Sequence, residues 1–422
     1  MSEHNINSTK SNFGRWGWTM IVYAGLMYFF GSGFRSDGLN VIVGNFAAAH
    51  ALDGNQLLAL ATPASWAGFI GSIFWAFLVD RKGLRPIALI TGILGGISFF
   101  LYGVVSTTMG FFAVTAFVNF MCYGFNYTVA TTLMSNWFPM KKGLALGWAT
   151  MGQNMASAAF VPLFLFIMHR VSLTGSFYTM GILLAVVSIL GFFIVRDHPE
   201  ERGCAPDNGS FTKEEIEANL RELQKYKSPW TPAKLLKNKQ VWLIGLSLGI
   251  YVLVTVSLIS QMIPRLMSCG WSETKSTGMM TIAAFFGLLG SYATGWLDQK
   301  VGTKKACIIY GIWYLVGLIF CIVPASSFSL YASVVFIGIG IGGVGNLFPS
   351  MVGTVFGRYD FVRALGVITP IHTIVNSFAF AVVAFGLAYL GGYSGAYTIV
   401  AVLDVIAIIL IAFVDDTCIG KN

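Results

Sequence analysis

The chain has 422 residues, of which 56% are hydrophobic and only 10% charged, and its mean hydropathy is +0.72. Soluble domains run near a quarter charged, so this much apolar surface excludes a water-soluble enzyme and implies contact with lipid. The formal net charge of +8 does not point to nucleic acid, because the basic residues collect in one set of loops between apolar blocks.

In chain order, residues 1–16 form a polar tail. The apolar block that follows is longer than that of a signal peptide and lacks the small-residue cleavage site, so it is expected to remain as a helix. Apolar blocks bounded by charges or turn residues predict spans at 17–43, 57–79, 87–105, 109–134, 144–169 and 174–195. A polar stretch, 196–240, comes next, and six further spans follow at 241–264, 276–297, 306–326, 329–356, 366–390 and 394–414, with a tail at 415–422. Each block can cross about 30 Å of hydrocarbon as a helix. The expected fold is an all-α membrane protein of twelve transmembrane helices, with an N-terminal bundle at 17–195 and a C-terminal bundle at 241–414. The 196–240 stretch reads as a solvated linker, although Thr212-Lys-Glu-Glu215 has capping-box form and allows a short helix.

Orientation follows from the placement of Lys and Arg. With the N-terminus inside, the inner loops hold Arg81, Lys82, Arg85, Lys141, Lys142, Lys300, Lys304, Lys305, Arg358 and Arg363, against only Arg170, Arg265 and Lys275 outside. The expected location is the cytoplasmic (inner) membrane, with both termini cytoplasmic.

An internal repeat gives the architecture. At an offset of 219 residues Gly83, in Asp80-Arg-Lys-Gly83-Leu-Arg85-Pro86, falls on Gly302, in Asp298-Gln-Lys-Val-Gly302-Thr-Lys-Lys305. The same offset carries Ala145-Leu-Gly147 onto Ala364-Leu-Gly366. Two loops matching at one offset predict two parallel, pseudo-symmetric halves, with Asp80, Arg81, Gly83, Arg85, Asp298 and Gly302 as conformational-switch loops.

Ionisable groups inside the bilayer are costly and mark function by default. Four stand out: Arg35 and Asp37 toward the outer end of span one, His372 in span eleven after Pro370, and Asp404 in span twelve. Arg35 and Asp37 are two apart on a helix and face different surroundings. If span one starts near Trp18, Arg35 lies about 26 Å along the axis, near the outer interface. A guanidinium is the natural partner of a carboxylate. The repeat offset pairs Gln153 with His372 and Tyr127 with Asn346, placing four polar side chains at matched depths. Asp404 reads first as a structural group on a peripheral helix, and after Asp37 and His372 as a proton-coupling candidate. The glycines Gly338, Gly340, Gly342, Gly343 and Gly345 allow close helix approach.

The sequence has no phosphate-binding Gly-Lys-Ser loop, no cysteine or histidine spacing for a metal, and no nucleophile–base pair. No cofactor, metal or catalytic residue is expected, and energy must come from an ion or counter-substrate gradient.

The loop Asp80-Arg-Lys-Gly83-Leu-Arg85-Pro86 resembles the signature loop of the major facilitator superfamily, with Ala76 where the leading glycine is usual. Asn136-Trp-Phe-Pro-Met-Lys-Lys-Gly143-Leu-Ala-Leu-Gly147, Phe348-Pro-Ser350 and Arg196-Asp-His-Pro-Glu-Glu-Arg-Gly203 are similar to the oxalate:formate antiporter and monocarboxylate porter branch. In that architecture helices four, five, ten and eleven surround a central pathway. The resemblance implies a pair of cationic side chains on helices eight and eleven that clamp a dicarboxylate between aromatic rings. Here Ser291 stands at the arginine and His372 at the lysine, so the clamp is lost. Tyr127 matches a cavity tyrosine; Gln153, Ile341 and Gly345 replace aromatic rings, and Arg35 takes a glutamine position.

These readings lead to a secondary transporter of an organic monocarboxylate larger than formate. Arg35 would hold the carboxylate, and Tyr127, Gln153, Asn346 and His372 would orient it. The expected partners are the small organic anion, a proton or counter-anion and the lipid bilayer, for a chain acting as a monomer. Proton symport or anion exchange would supply the energy, with Asp37, His372 or Asp404 carrying the proton. The alternative is proton-coupled efflux of lipophilic cations, with Asp37 or Asp404 binding the cation and Arg35 structural.

Overall fold

The computed structural model describes residues 9–323 and 326–421, and every regular element among them is helical. Ten continuous stretches are long and apolar enough to cross a membrane. One of them, Ser327–Tyr389, is 63 residues long and is broken by Gly357, whose φ of 69° lies in the left-handed region that glycine tolerates. It therefore supplies two crossings. The remaining crossing is the first, made of helix Gly14–Ser32, a π-helical turn Gly33–Asp37 and helix Gly38–His50. The chain thus crosses twelve times: α1 over 14–50, α2 Gly54–Lys82, α3 Leu84–Tyr102, α4 Thr108–Trp137, α5 Lys142–Arg170, α6 Leu173–Ile194, α7 Lys239–Ser268, α8 Glu273–Val301, α9 Thr303–Ile322, α10 over 327–356, α11 over 358–389 and α12 Tyr393–Ala412. The predicted ends move most at α1, which continues to His50, and at α11, which resumes directly after Gly357 rather than at 366.

Buried apolar side chains gather in two clusters, one from Phe13 to Val195 and one from Leu235 to Val414. Each half of the sequence closes around its own core. The outward faces stay apolar, with Phe77, Phe193, Phe285 and Phe385 each at least half exposed, as expected where the surrounding solvent is lipid.

The repeat read from the loops has a backbone cause. α2 ends at Gly83 with φ 84° and α8 ends at Gly302 with φ 87°, and each glycine N–H bonds back to a carbonyl one turn earlier, that of Val79 or Asp298, at 2.9 Å. A left-handed glycine ends each helix so that the next starts at once, which fixes the same turn in both halves.

Three π-helical turns, Gly33–Asp37 in α1, Tyr123–Ala130 in α4 and Ala156–Phe160 in α5, all lie in the N-terminal half. Such turns widen a helix by one residue and frequently mark functional sites. The halves meet through small residues. A β-carbon at Gly147 of α5 would lie 3.0 Å from the α-carbon of Gly295 in α8, and one at Gly366 of α11 only 2.7 Å from the β-carbon of Ala76 in α2. The usual glycine of the signature segment is thus replaced by Ala76 while a glycine on the facing helix provides the space.

Candidate functional site

Arg35 lies in the π turn of α1, with the 13-residue helix Gly38–His50 still to follow. The expected place near the outer interface is therefore corrected to the interior of the crossing, because α1 is longer than its apolar block. Its Nη2 donates to the Tyr127 hydroxyl at 2.8 Å and its Nη1 to the Tyr123 hydroxyl at 3.3 Å, both on the π turn of α4. The two rings stack with centroids 4.7 Å apart, and the guanidinium carbon stands 4.9 Å and 5.3 Å from them. Nε has no partner, and among the described residues no carboxylate pairs with Arg35. The guanidinium is thus held by neutral hydroxyl oxygens that accept from it and by aromatic faces, with no carboxylate paired to it.

Asp37, in the same turn, accepts from Ser32 Oγ at 3.0 Å and Ser36 Oγ at 3.4 Å, and Ser157 on the π turn of α5 also bonds it. It makes no ion pair with Arg35. Gln153, just before that α5 turn, crosses to the other half: its Oε1 lies 3.3 Å from where a β-carbon of Gly345 in α10 would stand. His372 of α11 is buried, stacks on Phe348 of α10 at 4.3 Å and 21°, and leaves Nε2 without a partner. Arg35 is the charge that acts on this imidazole across the interface between halves. Asn346 is placed differently. It is 1% exposed and donates to the Ser291 carbonyl at 3.0 Å, so its amide ties α10 to α8. The structure thus joins Arg35 and Tyr127 directly, keeps Asp37 and His372 in electrostatic reach of Arg35, and sets Asn346 behind them. Tyr123 and Ser157 were missed in the sequence. Tyr123 is one turn before Tyr127, a spacing that could have revealed it.

The Major Facilitator Superfamily model matches residues 21–379. The chain belongs to the Major Facilitator Superfamily. Curated relatives include the oxalate:formate antiporter of Oxalobacter formigenes, 23% identical over 342 residues covering 80% of this chain and 77% of that one. Monocarboxylate transporter 13 of Rattus norvegicus is 22% identical over 387 residues, 87% of this chain and 82% of that one. Among solved structures, the proton:xylose symporter XylE bound to 6-bromo-6-deoxy-D-glucose superposes with a TM-score of 0.73 at 15% identity, covering 94% and 95% of the two chains. FucP in the outward conformation gives 0.70 at 16% identity, covering 93% and 98%. The protein is a transporter of the superfamily, and its fold is that of these structures.

Within this fold Ser291, at the position where the resemblance implies an arginine, joins the halves instead. Asn154 of α5 donates to Ser291 Oγ at 2.9 Å, and that hydroxyl donates to the Gly342 carbonyl of α10 at 3.0 Å. Asp404, in α12, lies apart from Arg35 and is fully buried.

The switch-loop residues gather at the end of the molecule that carries the basic loops. Arg363 of α11 donates to Asp80 of α2 at 2.8 Å, across the halves. Arg81 lies over the Phe77 ring at 4.0 Å. Arg85 donates from Nε to the Phe192 carbonyl, and Asp298 accepts from Ser350 beside Gly143 of α5. The linker is corrected from a solvated strap to a partly buried clamp. Asp197 accepts from the backbone N–H groups of Leu84 and Arg85 at 2.7 and 2.9 Å, and Asp207 from those of Met140 and Lys141 at 3.0 and 2.7 Å. Asp197 caps the first turn of α3, where backbone donors have no helical partner, and Asp207 holds the turn that leads into α5. Burial raises both carboxyls above their ordinary pKa, and the backbone bonds oppose the shift. Glu200 makes a bidentate pair with Arg358, both oxygens at 2.7 Å, with side chains 0% and 5% exposed. A linker that follows the first half thus grips the second. Beyond it the helix Lys213–Lys225 forms, and Thr212 and Glu215 make the anticipated capping box.

His198 touches the same arginine, its Nδ1 3.2 Å from Nη2. Burial first, and the Arg358 charge second, push it from 6.5 down to about 3. The unfolded chain therefore takes up a proton that the folded chain refuses, so the contribution of His198 to stability is present above pH 6.5 and lost as pH falls from there toward 3. Wild-type protein should lose melting temperature on acidification through this window more steeply than His198→Gln, and parallel curves would refute the assignment.

Proposed function

We propose that the protein moves an organic monocarboxylate across the cytoplasmic membrane by alternating access, coupled to a proton or a counter-anion. The observation that carries this reading is Arg35: a guanidinium held by two tyrosine hydroxyls in mid-crossing, where π turns of α1 and α4 meet, with no carboxylate among the described residues in an ion pair with it. Holding an unpaired cation there is costly, and an incoming carboxylate would supply the missing charge with two parallel hydrogen bonds. Tyr127 positions the guanidinium, His372 of α11 lies within its electrostatic range, and Gln153 of α5 reaches toward Gly345 of α10; Asn346 acts from behind by fixing α10. Asp37, hydrogen-bonded to serines beside Arg35, and His372 are the candidates to take the coupling proton.

In this reading the basic loops face the cytoplasm, both termini lie on that side, and residues 17–195 and 241–414 rock as two units about the site, with 196–240 as the strap between them. The Asp80–Arg363 and Glu200–Arg358 pairs hold the cytoplasmic side shut. The unit is a monomer. That the relatives include proteins named for oxalate, formate and monocarboxylates supports the anionic class. A thermal-shift screen of the purified protein against carboxylates of graded size tests it, because a ligand of the native state raises the melting temperature. Stabilisation by monocarboxylates is expected; stabilisation by lipophilic cations alone would overturn the reading in favour of cation efflux.

A further inference from the structure

A second buried ionisable group has no part in the Arg35 site. Asp404 is 0% exposed in α12, and neither carboxyl oxygen has a hydrogen-bond partner. α12 packs against α9, α7 and the 379–389 part of α11. From α9 Tyr310 and Tyr314 lie within electrostatic range of Asp404, and from α7 Tyr251 does, with Cys307 of α9 beside it. The 379–389 segment carries one titratable side chain, Tyr389, which is 75% exposed at its far end.

The hydroxyl hydrogens of all three tyrosines are already committed. Tyr251 donates to the Cys307 carbonyl at 2.9 Å and Tyr310 to the Gly340 carbonyl of α10 at 2.9 Å. Thr255 donates to the Tyr251 carbonyl at 2.8 Å, so in its 2.8 Å contact with Tyr314 it is the tyrosine that donates. What the cluster still offers is lone pairs. Lone pairs suit a carboxylic acid, which has a hydrogen to give, and repel a carboxylate, which has none. An ionised, unpaired carboxylate in this surrounding is strongly disfavoured.

We propose that Asp404 is a proton-binding site separate from the substrate route, occupied in this conformation, and that its occupancy governs the bond from Tyr310 to α10. When the acid O–H breaks, the electron pair stays on the carboxylate and the proton leaves to water. The carboxylate then needs a donor, and the Tyr310 hydroxyl turns to it from the Gly340 carbonyl. That bond is central to the α9–α10 contact. β-Carbons at Gly340 and Gly343 would stand 2.5 and 2.6 Å from the rings of Tyr314 and Tyr310, so the tyrosines fit directly onto the glycine face of α10. α10 in turn carries Asn346, bonded to α8.

Infrared difference spectra of the purified full-length protein, recorded between mildly acidic and alkaline pH, test this. Among the protonated-carboxyl bands of the wild type, to which the buried Asp197 and Asp207 also contribute, one should vanish in Asp404→Asn and be accompanied by a tyrosine band missing in Tyr310→Phe. Arg35→Gln should leave both bands in place, which separates this site from the carboxylate site. If Asp404→Asn does not fold, the three Tyr→Phe variants carry the test, since removing a tyrosine hydroxyl from the surroundings of the carboxyl shifts its carbonyl band. Spectra of the wild type without such a band, or a band unmoved by every one of these substitutions, would overturn the proposal.

Discussion

Arg35→Gln is expected to weaken carboxylate binding by about 10- to 100-fold, the loss of charge-assisted hydrogen bonds worth about 1.5–3 kcal/mol. The glutamine keeps a donor but loses the charge and the fork. Arg35→Lys should fall between the two, because an ammonium keeps the charge but cannot present two parallel donors while bonding Tyr123 and Tyr127. Tyr127→Phe keeps the stacked ring and removes one bond, which corresponds to about 1 kcal/mol and a smaller loss of affinity. Titration calorimetry of the purified variants and uptake into proteoliposomes measure the series. If all four proteins bound a carboxylate equally, the guanidinium would be structural. Fold stability should not decline with Arg35→Gln, since the substitution removes an unpaired, half-buried charge.

The second large effect is expected at Glu200. Removing one member of a buried ion pair leaves the other charge unpaired, at a cost of about 3–5 kcal/mol, whereas replacing both by apolar side chains is often near neutral. Glu200→Ala should therefore shift the population away from the conformation closed at the basic-loop end, by about two to four powers of ten in the equilibrium constant. The double variant Glu200→Leu with Arg358→Met should recover much of the loss. A cysteine at Ala76, 4% exposed under Gly366, reports the change through its rate of labelling by a water-soluble thiol reagent. Faster labelling in Glu200→Ala and near-wild-type labelling in the double variant are predicted; unchanged labelling in Glu200→Ala would show that the pair does not hold the end shut.

Much of the fold was legible in the sequence because it rests on local chemistry. Block length fixed the crossings, and Gly83 and Gly302 stood out because a left-handed turn needs glycine. The ionisable residues also stood out, since lipid makes them rare. Other features depend on which surfaces meet. Helix Gly38–His50 runs past the end of the apolar block, and without that extension the depth of Arg35 was misjudged. Asn346 matched Tyr127 by symmetry, yet its amide is taken up by the Ser291 carbonyl, a bond that no repeat offset could reveal. The stretch around Asp197, Glu200 and Asp207 is as polar as any solvated linker. Its burial follows from helix starts and an arginine that lie far away in the chain.

The central claim is that Arg35 borders a water-accessible route at which a carboxylate binds. Ser157, exposed on the α5 turn and hydrogen-bonded to Asp37, is the place to test it with a cysteine substitution in a background where the native cysteines are replaced. The account predicts that a membrane-impermeant thiol reagent modifies this cysteine, and that a bound monocarboxylate slows the reaction in the Arg35 protein but not in Arg35→Gln. A cysteine there that no aqueous reagent reaches from either side, or that carboxylates protect equally well without Arg35, would contradict it.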